Sequence, residues 1–462
     1  MPDSPTARID FVGGFESTYL PRHDVDVFES TGHSEQWRRD LLLMRTCGVR
    51  RLRYPVRWHR IEAEPGRYDW TTTDEVLGHL HDEGFEPIVD LVHHTSYPAW
   101  LAGGFADPRF APAYLRFAEA VARRYPWIRE YTLFNEPFST LFLSGHEGVW
   151  PPYHEGLESF AAMLVNVVPA IAEAARRYRE LLPGARHVWV DACERHTGAG
   201  DAGLAYAGYA NDRRFVVLDA VLGRLDGTAS GGTPLDERPF ARALVRAGAE
   251  ALVDLEPAEV DVVGLDYYAH CQWHFGDRTG RAPTPQPAPL ADLVVEYATR
   301  YGRPCLLSET NIRGYASDRA TWLKYTLEQC EQAVGRGVEL DGYCWFPFVD
   351  SCDWDSLLAH HDGNVDPVGV FSLCDRRQRH PSSMSVSFAM AAHGSPSSVL
   401  PAYELRQPVR GWLAGWLPQM AHWTWQPAPD EEHPSAAPPG DEVFEPLRGR
   451  AAVPAPATEG VR

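Results

Sequence analysis

Eight short apolar runs rich in β-forming residues alternate with longer amphipathic stretches over roughly residues 9 to 390 of this 462-residue chain. Strand-like runs that alternate with helix-like stretches are typical of parallel βαβ units. Eight such units in succession close into a barrel whose chemistry lies at the carboxyl ends of the strands. The runs are Ile9–Phe15, Val49–Val56, Pro87–His93, Glu130–Phe134, His187–Asp191, Val260–Tyr267, Pro304–Ser308 and Tyr343–Phe346. We therefore predict an α/β fold, a single (β/α)8 TIM barrel with a C-terminal extension.

The stretches between the runs have the length and apolar periodicity of helices. Four of them are Glu35–Thr46, Thr73–Glu83, Ala111–Arg124 and Ser159–Leu182. An open, doubly wound sheet is the competing architecture, and it usually carries a glycine-rich phosphate-binding turn after its first strand. Gly13–Gly14 alone is too weak a signal for such a turn, so the barrel is preferred.

The alternation stops beyond about residue 395, which divides the chain into three parts. We assign residues 1–395 to the barrel, 396–426 to a tryptophan-rich extension and 427–462 to a tail rich in proline and alanine. The tryptophans of the extension are Trp412, Trp416, Trp423 and Trp425. They either pack against the barrel or line a binding site, and packing is favoured because most tryptophans are structural. The composition of the tail predicts disorder.

The charge balance limits the partners of this chain. Its 43 basic and 63 acidic side chains give a formal charge of -20, and no basic stripe is visible, so we predict no nucleic-acid partner. No stretch reaches the roughly 20 apolar residues of a membrane helix, and the N-terminus does not have the pattern of a secretory signal. The eight scattered cysteines are expected to be reduced and mostly buried. These features favour a cytoplasmic location and leave the oligomeric state open.

Two carboxyl groups stand at the ends of predicted strands. Glu136 follows the fourth run, in Tyr131-Thr-Leu-Phe-Asn-Glu-Pro137, and Glu309 ends the seventh, in Cys305-Leu-Leu-Ser-Glu-Thr310. Strands four and seven of an eight-stranded barrel face each other across its mouth. Retaining glycoside hydrolysis needs two carboxyls about 5–5.5 Å apart, and inversion needs about 6.5–9.5 Å. The placement therefore predicts a pair suited to glycoside hydrolysis, while the separation stays open.

The motifs around these carboxyls resemble those of the β-glucosidase-like enzymes of glycoside hydrolase family one, which are retaining enzymes on (β/α)8 barrels. Asn135-Glu136-Pro137 is similar to the acid/base motif of the family, and Leu307-Ser308-Glu309 is similar to its nucleophile strand. The resemblance runs from about residue 10 to 390. It implies that Glu136 is the general acid/base and Glu309 the nucleophile, that no cofactor is needed, and that the substrate is a small or oligosaccharide glycoside.

Further segments match motifs of the family in the expected order. They are Leu52–Ile61, His94–Leu101, Gly264–Tyr268, and Trp345 followed by Asp350–Trp354. The resemblance implies supporting roles at the reacting atoms for three residues: Arg53, Asn135 and Tyr268. It implies sugar contacts for four others: His94, Trp345, Asp353 and Trp354.

The residue types fit these implied roles. Arg53 and the Tyr268 hydroxyl would favour the ionised form of Glu309, since a cation and a donated hydrogen bond both stabilise a carboxylate. Burial and the charge of Glu309 would keep Glu136 protonated. Arg53 shares its run with Arg50, Arg51 and Arg57, any of which suits a surface charge. Tyr267 and Tyr268 point to opposite faces, so one of them enters the site.

Several positions depart from the family pattern, and they cluster at the sugar-binding subsite. The first strand has no sugar-binding glutamine, and Glu16 or His23 is left as a substitute. Asp266 stands where the family has asparagine, and Thr95 stands where it has tryptophan. The reaction type is therefore better supported than the sugar. Enzymes of the family that cut 6-phosphorylated sugars usually have serine in place of the acid at Asp353, so an unphosphorylated sugar is expected.

Other functions stay in competition with hydrolysis. A transglycosidase would use the same intermediate, and a carbohydrate-binding barrel would have lost catalysis. A metal-dependent isomerase is a further alternative, for which the paired histidines at 93–94 and 360–361 are the candidate ligands. Adjacent strand residues point to opposite faces and no third ligand has suitable spacing, so we predict no metal.

Overall fold

A computed structural model of the chain describes residues 8–227, 233–276, 280–284, 287–374 and 377–403. Eight strands close into a parallel barrel in which each strand lies between its neighbours in the sequence. The strands are Phe11–Gly14 (β1), Arg51–Pro55 (β2), Glu86–Asp90 (β3), Glu130–Thr132 (β4), Arg186–Ala192 (β5), Val262–Asp266 (β6), Cys305–Glu309 (β7) and Leu340–Trp345 (β8). Val12 of β1 pairs with Cys344 on one side and Arg51 on the other, which closes the barrel. The predicted barrel is confirmed, and each predicted run overlaps one strand.

Helices surround the barrel. The longer ones are His33–Thr46 (α1), Thr71–Asp82 (α2), Phe110–Arg124 (α3), Leu157–Leu181 (α4), Gly200–Val221 (α5), Leu290–Tyr301 (α6), Ala316–Gly335 (α7) and Ser383–Ala392 (α8). Shorter segments are Val27–Ser30, Trp58–Ile61, Pro137–Gly145 and Pro239–Arg246, with 3₁₀ turns at Gly104–Ala106, Leu235–Glu237, Glu250–Leu252, Trp354–Ser356 and Ser397–Val399. The four predicted helices agree with α1 to α4 within two residues at each end.

Segments of the loops that follow the barrel strands form small sheets. Arg195–Ala199, Gln272–Gly276 and Gly280–Pro283 form one three-stranded sheet. Tyr19–Leu20 pairs with Val25–Asp26, Ser351–Cys352 with Val365–Asp366, and Ser372–Leu373 with Arg379–His380. These hairpins hold the long loops at the carboxyl ends of the strands, where the candidate site lies.

The core has two layers because the parallel strands are buried on both faces. Side chains inside the barrel form a separate apolar cluster: Val12, Ile88, Val188, Val190, Val262, Leu306, Cys344 and Phe346. A larger cluster fills the space between strands and helices. Helix α3 shows the helical period directly, since Phe110, Tyr114, Phe117 and Val121 form its buried face.

Charged side chains form a network of ion pairs at the amino-terminal end of the barrel, which we call the barrel floor. Arg51 donates to both carboxyl oxygens of Glu130 at 2.7 and 2.8 Å, and its Nη1 donates to the Asp341 carbonyl at 2.8 Å. Arg186 lies 2.9 Å from Glu130. Arg51 and Arg53 are two residues apart on β2 and both point inward, so one lies in the barrel floor and the other reaches the mouth.

Helix α4 is long and apolar enough, by length and composition, to cross a membrane. This corrects the expectation that no stretch reaches that apolar length. In the structure 56 % of its most apolar window is buried, and Phe160, Leu164 and Ile171 lie in the core. Core helices of globular proteins pass the same test, so the helix is weak evidence for a membrane span.

All eight cysteines are free thiols, and seven of them are buried, as expected from the sequence. Cys374 is the exposed one.

The first residues of the predicted extension pack on α7. The Lys324 ammonium donates to the carbonyl oxygens of Ser397 at 2.6 Å and Leu400 at 2.9 Å, and the Tyr403 amide donates to Thr321 at 2.9 Å. The four tryptophans of the extension and the whole predicted tail lie outside the described residues, so their predicted packing and disorder stay predictions.

Candidate active site

Glu136 lies at the point where the chain leaves β4 and enters the helix Pro137–Gly145. Its amide donates to the carbonyl of Val190 on β5 at 3.1 Å, and its φ of 43° lies in the left-handed region. Proline at the next position suits a helix start because it needs no amide donor there. The side chain is 13 % exposed, so it reaches the mouth of the barrel while remaining largely shielded from water. Left-handed backbone at a non-glycine residue is strained, and such strain is concentrated at functional sites.

Glu309 ends β7 and is buried. Arg53 Nη1 donates to its Oε1, and the Tyr268 hydroxyl donates to its Oε2 at 2.5 Å. Both oxygens therefore accept a hydrogen bond, one of them from a cation, and this arrangement favours a carboxylate. Arg53 and Tyr268 stand where the sequence comparison with the family placed them.

Arg53 links the elements of the site through its guanidinium. Besides Glu309, it donates to Asn135 Oδ1 and to the Ser308 carbonyl, the latter at 3.3 Å. Asp90 Oδ2 lies 3.4 Å from its Nη2. Burial lowers the pKa of Arg53, but the surrounding carboxylates, Glu309 first, raise it by more, so the group stays charged.

Asn135 is fully buried beside Arg53 and His94. Its amide nitrogen lies 3.5 Å from His94 Nε2, and its backbone amide donates to the Val92 carbonyl at 2.9 Å. The side chain is thus oriented by one contact on each side.

Glu136 and Glu309 occupy different electrostatic environments. Burial raises the pKa of Glu136 well above that of an ordinary glutamate, and the negative charges of Asp266, Glu309 and Asp191 raise it further. Glu309 instead contacts a guanidinium and a hydroxyl donor. The geometry therefore distinguishes Glu136, whose pKa is raised, from Glu309, whose two oxygens accept hydrogen bonds from a cation and a hydroxyl.

Asp266 adds a third carboxyl to this cluster. It ends β6 and lies opposite Glu309 of β7, just past a shift in the register of the two strands. Its Oδ1 accepts a hydrogen bond from Ser308 Oγ at 2.6 Å. Oδ2 is buried and makes no hydrogen bond to any residue that the structure describes. Burial, followed by the charge of Glu309, raises the pKa of Asp266 well above its usual value.

Two carboxyls of the site were not identified from the sequence, although both lie at or next to the last residue of a barrel strand. Asp90 ends β3 and accepts from His93 Nδ1 at 2.8 Å. Asp191 lies near the end of β5 and accepts from the amide of Phe138 at 3.0 Å, at the start of the helix that follows Glu136. Burial raises the pKa of Asp191 to about 7.

Glu16, His93 and His94 form a buried cluster near Glu136. Donor atoms of the three side chains all lie within 4.8 Å of one another. His93 Nε2 is 3.4 Å from Glu16 Oε1, and His94 Nε2 is 3.9 Å from Glu136 Oε2. His94, which is predicted to bind sugar, therefore lies next to Glu136, and Glu16 lies next to His93. His23, the other candidate substitute, bonds to the Tyr153 hydroxyl at 2.7 Å instead.

The sequence argument against paired histidines is wrong at 93–94. Strand β3 ends at Asp90, and His94 has a φ of 49°, so the alternation of faces does not extend this far. The two rings lie 4.6 Å apart, and Glu16 supplies the third ligand type that the spacing did not reveal.

Burial and neighbouring charges shift the pKa values of Glu16, His93 and His94 in different directions. It lowers the pKa of His93, but Glu16 and Asp90 raise that pKa to about 10. It raises the pKa of Glu16, but His93 and neighbouring groups lower it to about 2. Burial and the charge of His93 keep the pKa of His94 well below its usual value. His94 is therefore neutral beside a Glu16–His93 ion pair.

The aromatic residues predicted to contact sugar differ in exposure. Trp345 is fully buried and its indole nitrogen donates to the Val368 carbonyl at 2.8 Å. Trp354 is half-buried, and its ring lies 5.5 Å from His94 and 5.8 Å from Trp150. Trp354 thus lies beside His94 at the rim of the site. Of the paired tyrosines, Tyr268 enters the site while Tyr267 stacks on Trp322 in the core, as the opposite faces required.

Asp353 is bonded within the loop that follows β8. Its carboxyl oxygens accept hydrogen bonds from the backbone amides of Gly363 at 3.0 Å and Asn364 at 2.8 Å, and the side chain is buried. Its predicted contact with outer sugar hydroxyls stays a prediction.

Comparisons with known proteins agree with this geometry. The model of glycosyl hydrolase family 1 matches residues 20–194, a segment that contains Arg53, His94 and Glu136 and ends before Glu309. The chain is 26 % identical over 376 residues to thermostable β-glucosidase B of Thermobispora bispora, covering 70 % of this chain and 73 % of that protein. It is 30 % identical over 131 residues to aryl-phospho-β-D-glucosidase BglA of Bacillus subtilis (strain 168), where the match spans only 26 % of either chain.

Solved structures show the same fold. The family 1 β-glucosidase of Thermotoga maritima superimposes with a TM-score of 0.66 at 15 % identity, over 84 % of this chain and 98 % of that one. The same enzyme in complex with glucoimidazole gives a TM-score of 0.68 over 85 % and 98 %. At this identity the likeness concerns the barrel architecture.

Proposed function

We propose that this chain, a divergent member of glycosyl hydrolase family 1, is a retaining β-glycosidase that hydrolyses a terminal, unphosphorylated β-linked sugar. One observation carries the proposal: Glu136 and Glu309 follow β4 and end β7 in opposite electrostatic environments. A buried carboxyl beside negative charges can donate a proton near neutral pH, while a carboxylate held by Arg53 and Tyr268 can attack carbon.

The reaction has two steps in this scheme. Glu136 gives its proton to the glycosidic oxygen as the bond from that oxygen to the anomeric carbon breaks, and Glu309 Oε attacks the carbon from the opposite face. The leaving group departs as an alcohol, and the sugar stays bound to Glu309 through an ester. Glu136, now ionised, takes a proton from water, and the water oxygen displaces Glu309 to release the sugar with its original configuration.

Residues around the pair would support these steps. Arg53 neutralises the Glu309 carboxylate that is regenerated in the second step and orients Asn135 through its Oδ1. We propose that the Asn135 amide nitrogen, which lies 3.5 Å from His94 Nε2, donates to the 2-hydroxyl of a bound sugar, a contact that gains strength in the transition state. Trp354 offers an apolar ring face beside His94 for the sugar.

The sugar that we propose carries no phosphate at its 6-position. The chain keeps an acid, Asp353, where family enzymes that cut 6-phosphorylated sugars usually have serine, and a phosphate close to that carboxylate would be repelled. The Bacillus subtilis relative is named for a phospho-glucosidase activity, but its match spans about a quarter of its length. Comparable turnover of a 6-phosphorylated and an unphosphorylated aryl glycoside would contradict this part of the proposal.

A panel of aryl β-glycosides tests the function. We expect at least one gluco-, galacto- or fuco-configured substrate to be hydrolysed, and proton NMR early in the reaction to show the β-anomer of the released sugar. Initial release of the α-anomer would refute retention. A disaccharide as the main product in the presence of an added acceptor would identify a transglycosidase, and binding without turnover across the panel would identify an inactive carbohydrate-binding barrel.

A further inference from the structure

Residues 396–403 run along helix α7 toward the carboxyl end of the barrel. Three hydrogen-bonded pairs mark this path in chain order: Ser397 with Glu331, Leu400 with Lys324, and Tyr403 with Thr321. From Glu331 back to Thr321 the helix spans about 15 Å, and its N-terminal end lies at the mouth because α7 follows β7. Thr321 Oγ1 also donates to the Ser317 carbonyl at 3.0 Å, one turn closer to the mouth. The chain after Tyr403 therefore starts near the face that holds the candidate active site.

Exposed apolar side chains lie at this end of α7. Tyr315 precedes the helix and is 61 % exposed, Val365 in the loop after β8 is 38 % exposed, and Tyr403 is 37 % exposed. The amide of Gly314 donates to the Pro367 carbonyl at 3.1 Å, so Tyr315 and Val365 stand on adjoining loops. We call Tyr315, Val365 and Tyr403 the rim patch. Large apolar side chains that are exposed together are typical of an interaction site.

The sequence that follows Tyr403 has the composition to cover this patch. Residues 411–426 contain no Asp, Glu, Lys or Arg and carry four tryptophans: Trp412, Trp416, Trp423 and Trp425. Each tryptophan can bury about 150–250 Å², so such a segment gains much by docking on an apolar surface. Trp412 is nine residues beyond Tyr403, which gives it a reach of up to about 30 Å. We propose that residues 404–426 dock on the rim patch.

Continuity of the chain favours this segment over a second copy of the protein. The segment is attached at Tyr403, a member of the rim patch, so its effective concentration there is high and independent of dilution. Two copies of a chain with a formal charge of -20 repel each other. Residues 404–410 instead carry two arginines and one glutamate, so the link between the patch and the tryptophans is not repelled by the acidic protein.

The docked segment extends the substrate-binding surface. Tyr315 lies six residues after Glu309, in the loop that leaves β7, so tryptophan rings on the rim patch stand beside the opening of the site. Flat indole faces there contact the leaving group of a glycoside, the part that lies outside the pocket of the hydrolysed sugar. This role rests on the proposed function, whereas the docking itself does not.

Hydroxyl-radical footprinting of the full chain tests the docking without any substrate. Labelling of Tyr315, read by mass spectrometry, is compared between the wild type and a quadruple variant that combines Trp412→Ser, Trp416→Ser, Trp423→Ser and Trp425→Ser. We expect Tyr315 to be protected in the wild type. Its labelling should rise by about threefold or more in the quadruple variant, because a ring that is 61 % exposed loses its cover. Leu204 on α5 is 59 % exposed and should be labelled equally in both proteins.

A substitution in the patch provides the reciprocal test. Tyr315→Ala should raise the labelling of the tryptophans in residues 411–426, because it removes the largest exposed ring of the patch. Val386→Ala is the matched control, since Val386 on α8 is also 61 % exposed but lies outside the patch, and it should leave that labelling unchanged. Circular dichroism checks the fold of each variant.

Two results would overturn the docking. One is equal labelling of Tyr315 in the wild type and the quadruple variant. The other is protection of Tyr315 that disappears when the wild type is diluted, because a second copy of the chain would then be the occupant. Protection that persists on dilution and is lost in the quadruple variant supports the segment as the occupant.

Kinetics separate this inference from the proposed function. With an aryl β-glycoside, the quadruple variant should have a KM about fivefold above that of the wild type and a nearly unchanged kcat, since it loses a binding contact. The glycosyl fluoride of the same sugar has no aromatic leaving group, so its KM should stay the same. Equal changes for both substrates would refute the leaving-group contact. Protection of Tyr315 in a wild type that turns over no glycoside would refute the proposed function and leave the docking intact.

Discussion

Replacing Asp266 with asparagine removes a buried charge from the cluster that surrounds Glu136. Asparagine has the same shape, and its oxygen can still accept the hydrogen bond that Ser308 Oγ gives to Oδ1 at 2.6 Å. The Asp266 charge comes directly after burial among the causes that raise the pKa of Glu136. The substitution should therefore lower that pKa while leaving the packing nearly unchanged.

The size of the effect follows from Coulomb's law. For full unit charges about 4–6 Å apart, a range within which charges shift each other's pKa, an effective dielectric constant of about 20 gives an interaction of about 3–4 kcal/mol, or about 2–3 pH units. Burial and Glu309 also raise the pKa of Asp266 itself, so it carries only part of a charge when Glu136 titrates. We therefore expect a displacement of about 1 pH unit.

The assay is the pH dependence of kcat/KM on an aryl glycoside that the wild type hydrolyses. Glu136 acts in its protonated form, so activity falls as the pH rises through its pKa, and a lower pKa moves this basic limb to lower pH. Asp191→Asn is the matched comparison, because Asp191 also raises the pKa of Glu136 but ranks after Asp266 and Glu309. The basic limb of the Asp191→Asn profile should therefore move less than that of the Asp266→Asn profile.

One outcome would refute this reasoning. If Asp266→Asn is folded and active but its basic limb coincides with that of the wild type, Asp266 does not set the proton affinity of the acid. A larger displacement in Asp191→Asn than in Asp266→Asn would contradict the ranking of the two charges.

Two further substitutions test other parts of the structure. Tyr268→Phe removes the hydrogen bond to Glu309, and since bonds to charged groups contribute about 1.5–3 kcal/mol, kcat/KM should fall by about 10- to 100-fold. Tyr267→Phe, on the core side of β6, should lower kcat/KM far less, and equal losses would argue against a role for the Tyr268 hydroxyl. Glu130→Gln breaks the buried ion pair with Arg51 in the barrel floor and should lower the free energy of unfolding by about 3 kcal/mol in urea titration. The Arg51–Glu130 pair lies at the end of the barrel opposite the candidate active site, so kcat measured at low temperature should be unchanged. A loss of kcat would contradict the view that this pair serves stability alone.

The barrel could be predicted because its signal is repeated eight times. Most runs are dominated by apolar residues, as strands buried on both faces require, so errors of one or two residues at the ends did not alter the order of elements. The candidate pair followed from the same regularity, since Glu309 is the last residue of β7 and Glu136 lies four residues after β4 ends. Asp90 and Asp191 carried the same signal and were overlooked because no family motif drew attention to them.

Loop geometry is the part that the sequence did not reveal. The alternation rule separates His93 from His94, yet both lie beyond the end of β3, where a positive φ at His94 turns the two rings to one side. Asp353 matched the family motif, but its oxygens bond to amides about ten residues further along the chain. Neither contact follows from residue type or spacing, because each depends on the path of a loop.

Azide rescue of two alanine variants tests the central claim most directly. With an activated aryl β-glycoside, Glu309→Ala should be inactive and should recover with azide, which attacks the open face and gives the α-glycosyl azide. Glu136→Ala keeps the nucleophile, so azide should attack the covalent intermediate and give the β-glycosyl azide. These opposite products would establish Glu309 as the nucleophile and Glu136 as the acid/base. The same anomer from both variants, or full activity in Glu309→Ala, would contradict the assignment.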